Sequence, residues 1–130
     1  MPLAQLPALR LLHLTSCTGV RELGPLAKAP ALEALFLGDT RVADLGPLAN
    51  LSTLQELCLN LCAEVTDLGP LAQLPALRRL HLNSCAGLKD VSALGGLASL
   101  EWLDLYGCTG LQAGAVDKLR VVLPKCDIND

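Results

Sequence analysis

The sequence predicts an α/β solenoid of five short coils, each supplying one strand to a shared parallel sheet. Three observations carry that prediction: a repeat of 22 to 23 residues, a leucine triplet locked in phase with it, and a hydrophobic content of 52% that includes only 2% aromatics. A fixed period of this length decides the architecture before any motif does. A core so poor in aromatics must be packed from Leu, Val and Ala, which suits identical stacked units better than an irregular globule.

The triplet L-x-x-L-x-L stands at Leu9, Leu12, Leu14; Leu32, Leu35, Leu37; Leu54, Leu57, Leu59; Leu77, Leu80, Leu82; and Leu100, Leu103, Leu105, with successive starts 23, 22, 23 and 23 residues apart. Side chains alternate along a strand, so if the second and third leucines point inward, the residues flanking them point out. Three residues after each third leucine comes Cys17, Thr40, Cys62, Cys85 or Cys108, followed by Val20, Val42, Val65, Leu88 or Leu111. An inward thiol at that rung fills space and donates a weak hydrogen bond, which predicts structural, reduced cysteines. There is no C-x-x-C pair to suggest zinc, and reduced thiols fit a cytoplasmic setting.

The second half of each coil repeats as Leu45-Gly46-Pro47-Leu48-Ala49 and Leu68-Gly69-Pro70-Leu71-Ala72, preceded by Asp44 and Asp67; Glu22 and Asp90 hold the same place in the first and fourth coils. An acid there can accept from free amides, and Pro suits a first helical turn because its missing donor is not needed. A 3₁₀-like turn is therefore expected on the back of each coil.

The strand half with its cysteine resembles the cysteine-containing subfamily of leucine-rich repeats known from substrate-recognition subunits of ubiquitin ligases. The half reading Val-x-Asp-Leu-Gly-Pro-Leu-Ala is similar to the short repeats of internalin-like and protein-phosphatase-regulator types. The resemblance covers nearly the whole chain and implies a right-handed coil with its strands on the concave side. Because the two halves match different subfamilies, it implies the fold and not a partner.

The ends depart from the period. Met1-Pro2-Leu3-Ala4-Gln5-Leu6 aligns with Gly46-Pro47-Leu48-Ala49-Asn50-Leu51, so residues 1–113 are expected to be repeats beginning part-way through one, with the first coil covered by further repeats, a partner or a second copy. Residues 114–130 are expected to form a cap. Val116, Leu119 and Leu123 share a helical face, Pro124 ends the helix, and Lys125-Cys126-Asp127-Ile128 can return as a charged edge strand.

A net charge of -3 without runs of one sign argues against the phosphate attraction that drives nucleic-acid binding. No apolar run reaches the ~18 residues of a membrane span. The expected partner is another protein, and no cofactor or metal is implied. Outward strand residues are free to be chosen for binding. On this face fall all three aromatics, Phe36, Trp102 and Tyr106, both histidines, His13 and His81, and Arg79, Glu56 and Asp104. Trp, Tyr and Arg are the side chains that anchor protein interfaces. Across adjacent strands Arg10 is expected to pair with Glu33, Glu56 with Arg79, and Arg78 with Glu101, with Arg79 stacked on Trp102. Two other readings stay open: a purely architectural segment of a longer solenoid, and a Cys58, His81, Asp104 row serving as nucleophile, base and orienting acid or as metal ligands. An open sheet offers no enclosed pocket or oxyanion site for the latter, and the chain is not expected to be an enzyme.

Overall fold

A computed structural model describes residues 8–130; the aligned partial repeat at residues 1–6 lies outside the described residues. Six strands, β1 (Leu11–His13), β2 (Ala34–Phe36), β3 (Glu56–Cys58), β4 (Arg79–His81), β5 (Trp102–Asp104) and β6 (Asp127–Asn129), form one open parallel sheet in chain order. The register is constant: Leu12, Leu35, Leu57, Leu80, Leu103 and Ile128 are successive partners. Each strand has only three residues, because the coil must turn after the third leucine to return behind the sheet. The 3₁₀ turns Gly24–Lys28, Gly46–Leu48, Gly69–Leu71 and Ser92–Gly96 form the back.

The interior consists of leucine columns. Leu35, Leu57, Leu80 and Leu103 are fully buried, as are Leu37, Leu59 and Leu82, and Leu48, Leu71 and Leu94 cover them from the back turns. The cysteine rung ties each coil to the one before it. Cys62 donates to the carbonyl of Leu37 at 3.2 Å, Cys85 to Leu59 at 3.0 Å, and Cys108 to Leu82 at 2.9 Å. Thr40, in the one short repeat, donates instead to its own coil's Leu37 at 2.8 Å. Burial pushes the Cys85 thiol up to about 12, which fits an inert packing role. Cys17 corrects the expectation of a uniformly buried column. It is exposed, since no described coil lies before it to offer the carbonyl and cover its sulfur.

Three of the four acids work as expected. Asp44, Asp67 and Asp90 accept from the amides of Gly46, Gly69 and Ser92, each at 2.8 Å, and that amide holds the Asp90 carboxyl below its ordinary value. In the C-terminal region, helix α1 (Ala115–Val122) starts after Gly114, whose φ of 83° needs a residue without a Cβ. Leu119 and Leu123 are buried against the stack, and a Cβ at Gly95 would meet Val122 at 3.2 Å, so α1 runs close to the last back turn. The return strand lies slightly later than expected, at Asp127–Asn129, with Ile128 buried as the last member of the Leu103 column. The first coil is the least covered: Leu12, Leu14 and Val20 are only partly buried and Leu11 is 58% exposed.

Candidate functional site

The concave face is ordered in rows that run across the strands. One row is Leu11, Ala34, Glu56, Arg79, Trp102 and Asp127; the next is His13, Phe36, Cys58, His81, Asp104 and Asn129. Thr15, Gly38, Asn60, Asn83 and Tyr106 follow two residues beyond the strand ends. Two aromatic clusters stand on this sheet. His13 stacks on Phe36 with ring centroids 5.0 Å apart and planes within 22°. His81 lies 4.7 Å from Trp102 at a tilt of 56° and bonds Glu56 Oε2 through Nε2 at 2.8 Å. Between Phe36 and His81 in their row stands the short side chain of Cys58, and a Cβ at Gly38 would sit 3.4 Å from the Asn60 carbonyl.

No family model matches the chain, and no curated protein matches it by sequence. Solved structures do. A leucine-rich-repeat protein of Leptospira interrogans superposes with a TM-score of 0.85 at 24% identity over 98% of this chain and 32% of its own. Internalin C2 of Listeria monocytogenes gives 0.68 at 30% identity over 83% of this chain and 51% of its own. The leucine-rich-repeat domain of the type III effector XopL gives 0.67 at 28% identity over 82% and 37%. The chain is a leucine-rich-repeat protein. It spans a third to a half of the length of the proteins it matches, and its fold is one commonly used for protein–protein interaction.

In this leucine-rich-repeat protein the residues singled out from the sequence fall into three groups. His13, Phe36, Glu56, His81 and Trp102 form the two clusters just described. Arg79 and Tyr106 are exposed beside the second, Tyr106 at 60%. Asp104 is a correction: it is buried, at 8% exposure. Its carboxylate accepts from the Tyr106 amide at 3.0 Å, from Asn129 at 3.1 Å and from Asn83 at 3.3 Å. It belongs to a polar ladder continued by the Asn83 amide donating to Asn60 Oδ1 at 2.7 Å, and it ties the edge strand β6 to the stack.

That ladder dissolves the proposed Cys58, His81, Asp104 relay. His81 is bonded to Glu56 and Asp104 to asparagines, while burial pushes the Cys58 thiol up, the opposite of an activated nucleophile. Among the described residues no cluster of three His, Cys, Asp or Glu side chains could hold a metal ion. Two further expectations change. Glu56 takes His81 rather than Arg79, and the ring against Trp102 is His81 rather than the Arg79 guanidinium. Arg78 with Glu101 at 2.9 Å and Arg10 with Glu33 at 3.8 Å pair as the rows imply.

Sequence reasoning missed Leu61. It is 55% exposed and sits at φ 63°, in a column otherwise occupied by Ser16, Asp39, Ser84 and Gly107. The available signal was a leucine in a column whose other members are polar or glycine.

Proposed function

We propose that this leucine-rich-repeat protein is a non-enzymatic scaffold that binds a partner protein on its concave face, through Trp102, Tyr106, Arg79, His81, Glu56, Phe36 and His13. One observation carries the reading: the described aromatics lie on this sheet, although none is needed in a core built from leucine. Rings held at 4.7 and 5.0 Å from neighbouring histidines are rigid before a partner arrives, which lowers the entropic cost of contact. The absence of a strongly charged surface fits a protein better than a polyanion. No described helix is long and apolar enough to cross a membrane, and six free cysteines suit a reducing compartment such as the cytoplasm.

The test is a pull-down with wild type and the Trp102→Ala, Tyr106→Ala double variant, alongside their melting curves. Loss of the captured protein with a melting temperature changed by only a few degrees supports the scaffold. Undiminished capture overturns the role of these two rings, and no capture by wild type supports an architectural segment of a longer solenoid. Self-association through the exposed first coil is checked by sedimentation of the same samples.

A further inference from the structure

The concave face pairs nearly all of its charges internally. Arg10 faces Glu33, Arg78 faces Glu101 and His81 faces Glu56. Among the described residues two exposed charges of these rows lack an ion pair, the acid Asp127 and, as the one cation, Arg79. Its register neighbours are Glu56 and Trp102; the first is turned to His81 at 2.8 Å and the second is a ring. Among the described residues no carboxylate lies within ion-pair distance of Arg79, and its guanidinium makes no hydrogen bond. It borders an open depression of about 250 Å³ shared with Gln55, Glu56, Arg78 and Glu101, where both acids are already engaged. The result is a five-donor planar cation, exposed, beside a Trp held in place by His81.

We propose that Arg79 receives a carboxylate from an acidic side chain of the bound partner, with an adjoining apolar side chain of that partner lying over Trp102. A guanidinium fork matches a carboxylate in two parallel hydrogen bonds, and such charge-assisted pairs are about twice as strong as neutral ones. Supplying the acid from outside breaks no internal pair. The row also sets the order of the recognised residues, because Asp127 stands beyond Trp102 and repels a second acid there. The chain's net charge of -3 gives no general attraction for acidic peptides, so the preference must be local to Arg79. The proposal rests on the concave face being the binding surface.

Three pools of nine-residue peptides, acetylated and amidated, test it by fluorescence anisotropy against the full chain. Each pool carries Phe or Leu at the centre beside a fixed Glu, Gln or Lys, with the other positions random. Wild type should bind the Glu pool about ten-fold tighter than the Gln pool. Arg79→Ala should erase that ratio and Arg79→Glu should move the preference to Lys, while Trp102→Ala weakens all pools without changing the ratio. Equal binding of Glu and Gln by wild type, a Glu preference that survives Arg79→Ala, or no binding of any pool overturns the proposal. If the Trp102 and Tyr106 changes abolish capture of a protein partner while wild type fails to distinguish Glu from Gln, the concave-face reading stands and the role of Arg79 falls.

Discussion

The first and third coils carry the same motif and different physics. Leu9, Leu12 and Leu14 repeat as Leu54, Leu57 and Leu59, yet Leu57 and Leu59 are fully buried while Leu12 and Leu14 are only partly so. Cys62 is buried and donates to the coil before it, whereas its counterpart Cys17 is exposed. The leucine triplet specifies the shape of a coil, and its neighbours supply the burial. Stability in such a stack is therefore a property of interfaces between coils, and one substitution should cost different amounts in different coils.

The largest expected effect tests that directly. Leu57→Ala should destabilise by ~2 to 5 kcal/mol, since it opens a cavity walled on both sides. Leu12→Ala, with part of its side chain already in water, should cost less than half as much. Urea unfolding of both variants measures the difference, and equal losses would mean that burial is not set by the neighbours. A smaller contrast lies in the thiols. Cys85→Ala removes a buried donor and its volume and should cost ~1 to 3 kcal/mol, while Cys17→Ala should stay within ~0.5 kcal/mol. Cys85 also gives the pair a pH signature. Its folded pKa is raised by burial to about 12, so its contribution is complete below the unfolded value near 9 and is lost as pH rises through 12. Alkaline melting curves should fall less steeply for Cys85→Ala than for wild type, and Cys17→Ala should leave the slope alone.

The same contrast shows how far sequence reasoning reaches. Which residues face inward follows from two periods, 2 along the strand and 22 to 23 along the chain, so the leucine columns, the thiol rung and the aspartates ahead of the back turns were all legible. Side-chain partners were legible only in part, for Arg10 with Glu33 and Arg78 with Glu101. Glu56 lies directly across from Arg79 and diagonally from His81, and spacing alone does not decide between an arginine and an imidazole already held by Trp102. Asp104 differs for another reason: its burial depends on β6, and the expected strand at residues 125–128 stops short of Asn129. In the observed strand Asn129 is its register partner and one of three donors to the carboxylate. Cys17 failed because a column predicts a position and not the neighbour that covers it.

The smallest expected effect lies in the turns that follow the strands, where amides still bond from coil to coil but side chains reach water. In each coil the residue that opens the turn after the strand adopts a left-handed conformation, at Ser16, Asp39, Leu61, Ser84 and Gly107, with φ between 56° and 76°. Side chains with a Cβ resist that region by about 1 kcal/mol, least so for small polar residues that bond their own backbone. Leu61 has neither compensation and leaves 55% of its surface in water. Leu61→Asn should therefore raise stability by up to ~1 kcal/mol, a few degrees in melting temperature for a chain of this size. The reverse change, Ser84→Leu, should lower it by at least as much, because it also removes the bond from Ser84 Oγ to Asn83 at 2.7 Å. If Leu61→Asn is destabilising instead, the leucine is held by packing that its exposure does not reveal. The turn row would then belong to the interior of the comparison and not to its surface.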